Sequence, residues 1–171
     1  MKRTTQLAKV ILAFAIVCGG CGVSKPPRAA YEKAGGFSYD PPQGWRVLEF
    51  GGLKYRISAG PSENDFAPNI NVVDERFSGS LPEYVDLNLQ TLKKTFVDFK
   101  LIKREDFQTG DGLAAVRLVC EDTQQKKRLR QTFCFFGNSN RKYVATCTAV
   151  ADGGEKLDDL FAQSMKTFRI H

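Results

Sequence analysis

Leu129-Arg130-Gln131-Thr132-Phe133-Cys134-Phe135-Phe136, then Gly137-Asn138-Ser139-Asn140, then Tyr143-Val144-Ala145-Thr146-Cys147-Thr148-Ala149-Val150 is the stretch that decides the fold class. Two runs rich in β-branched and aromatic residues, joined by four residues of turn type, read as a hairpin. The same rhythm extends upstream through residues 101–107, the turn Thr109-Gly110-Asp111-Gly112, residues 113–120 and a polar stretch 121–127. Strands at such short, regular spacing predict an antiparallel meander. Phe133-Cys134-Phe135-Phe136 is apolar at consecutive positions, so both faces of that strand must be covered. The sheet is therefore expected between helices, without a wet side.

Helical signals flank the meander. Ser80-Leu81-Pro82-Glu83 has capping-box spacing, in which a hydroxyl and a carboxylate exchange bonds with orphan backbone amides. Val85, Leu89, Leu92, Phe96 and Phe99 then step by three or four residues and form one apolar stripe. Asp152-Gly153-Gly154 ends the sheet, and Leu157, Leu160, Phe161, Met165 and Phe168 mark a closing helix. Before the first helix, alternation over 45–50, 53–57 and 70–74 predicts three strands, with a loop over 60–68. The whole reads as α+β, an antiparallel sheet of about six to seven strands flanked by two helices, in one domain over 37–171.

Turns centred near 124–125 and 138–139 place Cys120 opposite Leu129, Cys134 opposite Val144 and Cys147 opposite Gln131. Cys120 and Cys147 would then lie two strands apart, about 9–10 Å at roughly 4.8 Å per strand. That exceeds the roughly 7 Å between bridged Cα atoms, so three buried thiols are expected, with Cys134 and Cys147 able to meet only if the register slips.

The first twenty residues carry a different message. Lys2, Arg3 and Lys9 precede the apolar run Val10-Ile11-Leu12-Ala13-Phe14-Ala15-Ile16-Val17. As a helix, 10–18 would be roughly 14 Å long against a hydrocarbon core of about 30 Å, too short to span stably. Cys18-Gly19-Gly20-Cys21 follows and resembles the lipobox of bacterial lipoproteins. It departs from that pattern in carrying Cys18 where leucine is usual, and an ordinary secretory signal is the alternative reading. The resemblance implies a signal peptide over 1–20, acylation of Cys21 and a lipidated tether over 21–36. It further implies a cell-envelope location facing the periplasm, on the outer membrane in a two-membraned organism because Gly22 follows the cysteine. Several acyl chains at about 0.8 kcal/mol per buried methylene would make that anchoring essentially permanent.

The mature domain also resembles the PsbP-like family. The residues that carry this are Phe37-Ser38-Tyr39-Asp40-Pro41-Pro42-Gln43-Gly44-Trp45, Ile70-Asn71-Val72-Val73, Gly112-Leu113-Ala114-Ala115, Tyr143-Val144-Ala145-Thr146-Cys147-Thr148 and the closing helix from Phe161 to Phe168. The resemblance implies an α/β/α sandwich related to the photosystem extrinsic subunits, DcrB-type lipoproteins and a nuclear-import factor of the same shape. It implies a noncatalytic binding or assembly role.

Composition narrows the functional classes. Removing 1–20 lowers the formal charge from +6 to +3, so half of the basic balance belongs to the leader. Lys126-Lys127-Arg128 with Arg130 falls at a hairpin tip and Arg141-Lys142 at the far end of the same strand, roughly 30 Å away. These are read as solvated strand ends, not a nucleic-acid stripe. His171 is the lone histidine and the last residue, so Ser58, Ser62 and Ser78 have no internal imidazole to activate them. No metal ligand set and no cofactor site is assigned. Glu63 with Asp65, and Asp74 with Glu75, read as solvated acids. Gly35-Gly36 and Gly51-Gly52 lack the strand-loop-helix setting of a phosphate cradle. Tyr39 and Trp45 read as anchors for the first strand, not a stacking platform.

Two functions follow as expectations. In the first, a membrane-anchored, noncatalytic module binds another envelope protein through the 60–68 loop and an exposed sheet edge. In the alternative, the sandwich carries a small apolar or lipid-like ligand.

Overall fold

The computed structural model describes residues 30–63 and 65–171. In chain order it comprises β1 (Ala30–Glu32), β2 (Phe37–Tyr39), β3 (Arg46–Leu48), β4 (Ile57–Ala59), β5 (Asn69–Arg76), α1 (Leu81–Thr95), β6 (Val97–Gln108), β7 (Ala114–Gln124), β8 (Lys127–Gly137), β9 (Arg141–Val150), α2 (Asp158–Lys166) and β10 (Arg169–Ile170). Seven strands form one antiparallel sheet in the order β3-β4-β5-β9-β8-β7-β6. The expected meander is its larger part, β6 through β9. The α+β class and the seven strands agree with the sequence reading.

Both faces of the sheet are covered. Helix α1 packs Tyr84, Val85 and Leu92 on a face built from Val116, Leu118, Cys120, Phe133, Phe135 and Val144. The other face, with Cys134, Phe136, Ala145 and Cys147, meets Phe161, Met165 and Phe168 of the closing segment. Phe133 and Phe135 thus point one way, Cys134 and Phe136 the other, as consecutive apolar residues on a strand require. This second face also carries a small sheet, β1-β2-β10, which the sequence did not announce. Phe37 of β2 and Phe168 stack at 5.5 Å, and Phe168 stacks again on Phe136 at 4.1 Å.

Several local expectations need correction. The tether expected over 21–36 ends sooner, because Ala30–Glu32 pairs with β2 and Gly36 closes the turn at a φ of 65°. The folded body therefore includes Ala30–Glu32, upstream of the expected boundary at Phe37. Residues 53–56 are not strand, and after β3 the chain rejoins the sheet only at Ile57. Lys54 and Tyr55 instead reach across to Asp74, at 2.7 Å each. Ser80 caps α1 through Glu83 N at 3.3 Å, but Glu83 gives no return bond. Phe96 is extended at the helix end and Phe99 lies in β6, yet both pack against the α1 core.

Register is the other correction. β7 and β8 are joined by just Gln125 and Lys126, with φ of 49° and 66°. Two left-handed residues make the tight turn that suits strand twist, but neither is the Asn or Gly that signals it. The strands therefore run farther than expected, with Cys120 opposite Gln131, Cys134 opposite Ala145 and Cys147 opposite Thr132. A shift of one residue exchanges faces. The β8–β9 pairing moves by one, which puts Cys134 and Cys147 on the same face, toward α2, whereas Cys120, whose partner moves by two, faces α1.

Candidate functional site

Cys21 and the rest of residues 1–29 lie outside the described residues, so acylation is not addressed by the geometry. Among the described residues, no helix is long and apolar enough to cross a membrane.

The 60–68 loop builds the first candidate surface. Its ends are tied by Gly60 N donating to Pro68 O at 2.8 Å, and Glu63 and Phe66 exchange backbone bonds at 2.9 and 3.0 Å. Phe66 is buried and folds inward. Trp45 lies against Gly60 so closely that a Cβ there would fall 2.8 Å from the indole, which is why glycine occupies the position. Trp45 in turn meets Phe161 edge to face at 5.9 Å. It is the strand anchor expected from the sequence. Between this loop and the β9–α2 connection lies a cleft of about 260 Å³ lined by Trp45, Phe66, Pro68 and Leu157 together with the charged Glu63, Asp152 and Lys156.

The acids and bases that converge elsewhere are engaged with one another. Asp74, whose side chain is 5% exposed, receives Lys54 Nζ and Tyr55 Oη on one oxygen and Arg141 Nε on the other, at 2.6–2.7 Å. Burial opposes its ionisation, but the bonds from Lys54, Tyr55 and Arg141 outweigh it and hold the carboxyl below its ordinary value. Arg130 donates to Glu121 at 3.1 Å and bidentately to Asp158, pinning α2 to the sheet. Arg128 also pairs with Glu121. The two arginines of the basic cluster near the β7–β8 tip are thus bound to acids, while Lys127 reaches the backbone carbonyl Asp65 O at 3.5 Å. Glu105 pairs with Lys103 and Arg117.

The serines and cysteines are similarly occupied or inert. Ser58 is fully buried and bonded to Tyr39 Oη at 2.7 Å. Ser38 Oγ and His171 Nε2 share a bond of 2.8 Å, which docks the C-terminus on β2. Ser62 and Ser78 lie far apart, one in the 60–68 loop and the other after β5. Cys120, Cys134 and Cys147 are free and buried. Desolvation drives all three thiols up, that of Cys134 to about 12, which suppresses thiolate. Among the described residues, no His, Cys, Asp and Glu side chains gather in threes as metal ligands would.

The sequence reading missed a buried polar chain on the α1 face. Gln124 Nε2 donates to Asp122 Oδ1 at 2.9 Å and to Gln131 Oε1 at 3.1 Å, and Gln131 Nε2 donates to Thr148 Oγ1 at 3.2 Å. Desolvation pushes Asp122 up to about 6, the bond from Gln124 opposing it. The wrong register had left this end of the hairpin as exposed loop. Lys142, 2% exposed as a residue, was also read as solvated. Its stem crosses Gly137, where any Cβ would collide with it, and its ammonium donates to Phe77 O at 3.0 Å and Asn138 O at 2.6 Å.

No protein-family model and no curated protein matches the chain. Solved structures do. Cyanobacterial PsbP (CyanoP) from Synechocystis sp. PCC 6803 is similar at a TM-score of 0.64 and 15% identity, over 91% of this chain and 98% of that one. LpqN of Mycobacterium tuberculosis, described as involved in cell envelope biogenesis, is similar at 0.61 and 17%, over 78% and 82%. A Pseudomonas aeruginosa protein of unknown function, PA94, is similar at 0.55 and 19%, over 72% and 94%. At such identities the likeness is one of architecture. Covered by α1 on one face and by α2 with its small sheet on the other, the seven-stranded sheet gives this chain a PsbP-like fold.

Proposed function

We propose that this chain is an envelope lipoprotein, anchored through acyl chains on Cys21, whose folded body binds another envelope protein without catalysing a reaction. The observation that carries the binding reading is the cleft behind residues 60–68. Trp45, Phe66, Pro68 and Leu157 give it apolar walls, Trp45 being packed on Phe161 of the core, and Glu63, Asp152 and Lys156 add charge to its lining. Its size supports a protein occupant. About 260 Å³ falls below the roughly 300–1,000 Å³ of small-molecule sites, and suits one aromatic or aliphatic anchor from a partner protein. The spent ion pairs around Asp74 and Arg130 support a noncatalytic role, since those groups already bridge strands and helix.

The anchor is tested by intact mass. Membrane-extracted protein should carry lipid and lack residues 1–20, whereas Cys21→Ala should keep its leader. Equal masses apart from the substitution would remove the lipoprotein assignment. The docking surface is tested by a photocrosslinking residue at Glu63 and, as a control, at Lys100 on the opposite edge strand of the sheet. One discrete envelope protein should crosslink from position 63 and be lost on Leu157→Arg. Equal labelling from both positions, or none from 63, would sink it. The carrier reading rests on the same apolar walls, and native mass spectrometry of delipidated protein tests it through a bound mass that Leu157→Arg displaces.

A further inference from the structure

At the opposite end of the sheet from the apolar cleft, the end of β5 and the β8–β9 turn enclose a concavity of about 780 Å³. Arg76 and Ser78 wall one side, and Asn138, Ser139, Asn140 and Arg141 the other. Arg76 and Arg141 are direct cross-strand partners. Like charges in that position repel and destabilise the pair. Asp74 relieves only one of them. It binds Arg141, while Arg76 has no carboxylate partner among the described residues.

A third cation lies beneath. The Lys142 ammonium is held by Phe77 O and Asn138 O, the backbone of both walls, and lies 5.6 Å from the Phe77 ring. Glu75, opposite Lys142 in the register, forms no ion pair with it. Desolvation lowers the affinity of this ammonium for its proton, as expected of a cation that lacks a bonded counter-ion. Neutral donors complete the lining. Ser78, Ser139 and Asn140 make no side-chain hydrogen bonds among the described residues. Asn138 Oδ1 already accepts from Asn140 N and Arg141 N, at 3.1 and 2.9 Å, which fixes the turn, and its amide nitrogen donates no hydrogen bond among the described residues.

We propose that this concavity binds a phosphate-type oxyanion carried on a hydroxyl-rich group, the phosphoryl of a glycerophospholipid head or of a soluble phosphorylated polyol. The Arg76 fork, which has no carboxylate partner among the described residues, matches several phosphate oxygens at once, while Arg141, already holding Asp74 through Nε and Nη2 and Gly35 O through Nη1, contributes its charge and its remaining N–H groups beside it, so that an anion here offsets the repulsion on Arg76. The volume exceeds that of the ion and leaves room for the polyol, which the serine hydroxyls and asparagine amides can bond. The site is separate from the apolar cleft and stands whether or not that cleft docks a protein.

The test is calorimetric titration of the full-length protein in nonionic detergent with three probes: inorganic phosphate, glycerol 3-phosphate and monomeric dihexanoyl-phosphatidylglycerol. At least one should bind. Arg76→Gln, a change at an exposed strand end that leaves the core intact, should weaken it about tenfold, as expected for loss of a charged hydrogen-bonding partner. Arg46→Gln, at the other end of the sheet, should not. Tightest binding of the phosphodiester identifies a lipid head as the source, and tightest binding of the monoester or of phosphate identifies a soluble one. No heat with any probe at millimolar concentration, or less than a threefold loss in Arg76→Gln, overturns the proposal.

Discussion

The two ends of the seven-stranded sheet solve opposite problems. Where residues 60–68 close over β4, β5 and β9, the chain excludes water with Trp45, Phe66 and Leu157, and the buried carboxyl nearby on the α1 face, Asp122, is poorly compensated. At the β8–β9 turn the chain gathers Arg76, Arg141 and Lys142, and its buried carboxyl, Asp74, is bonded by three partners. The difference is instructive because both ends use an aspartate on a strand. Burial alone raises one, and burial outweighed by cations lowers the other. Local partners, not residue type, decide which way an acid couples to stability.

The comparison can be broken most severely at the apolar end. Trp45→Ala should cost about 3–5 kcal/mol, the usual loss for a large buried aromatic, read as a drop in the urea midpoint with an unchanged slope. A loss under about 1 kcal/mol would mean that the cleft wall is not part of the core. At the cationic end, Asp74→Asn should cost about 3 kcal/mol, toward the low side for a broken buried pair because Lys54 is largely in water. Its pH dependence has a definite sign. A depressed folded value means that the stabilisation is present above the ordinary carboxylate value near 4 and is lost as pH falls through the folded one. Wild type should therefore lose stability in acid more steeply than Asp74→Asn.

Asp122 should behave in reverse. With its folded value up at about 6, the protonated form favours the fold below about pH 4, and that advantage fades as pH rises through 6. Asp122→Asn should then gain about 1–2 kcal/mol at pH 7 and nothing at pH 4. A loss at pH 7 would show that the ionised carboxylate is better satisfied than the Gln124 bond alone provides. The smallest effect belongs to Arg76→Gln, whose stability should stay within about 0.5 kcal/mol of wild type or rise slightly at low salt, because it removes a like-charged neighbour of Arg141. A large destabilisation would assign Arg76 a structural partner and weaken the case for an anion between the arginines.

What was legible in the sequence follows from what local physics can encode. Consecutive apolar residues at 133–136 foretold a sheet covered on both faces, Ser80 marked the start of α1, and Phe161 and Met165 marked the closing helix, although Phe168, expected on it, falls past its end at Lys166. Trp45 was recognised as an anchor. The 60–68 loop was singled out, but its apolar walls could not be read from it, since Leu157 joins Trp45 across more than a hundred residues of chain. The cationic concavity was invisible for the same reason. Nothing near Arg76 in the sequence says that Arg141 will face it.

By itself, the sequence determined the strand and helix periods and the class of fold, because hydrophobic spacing and cap chemistry act over a few residues. Only the tertiary structure decided the register, through a two-residue turn of Gln125 and Lys126 that carries no glycine signal. With the register came the faces of the cysteines, the burial of Asp122 and Lys142, and the capture of Ala30–Glu32 into a second sheet. Those outcomes depend on which distant strands pair, and a one-residue difference in pairing reverses every side chain along a strand.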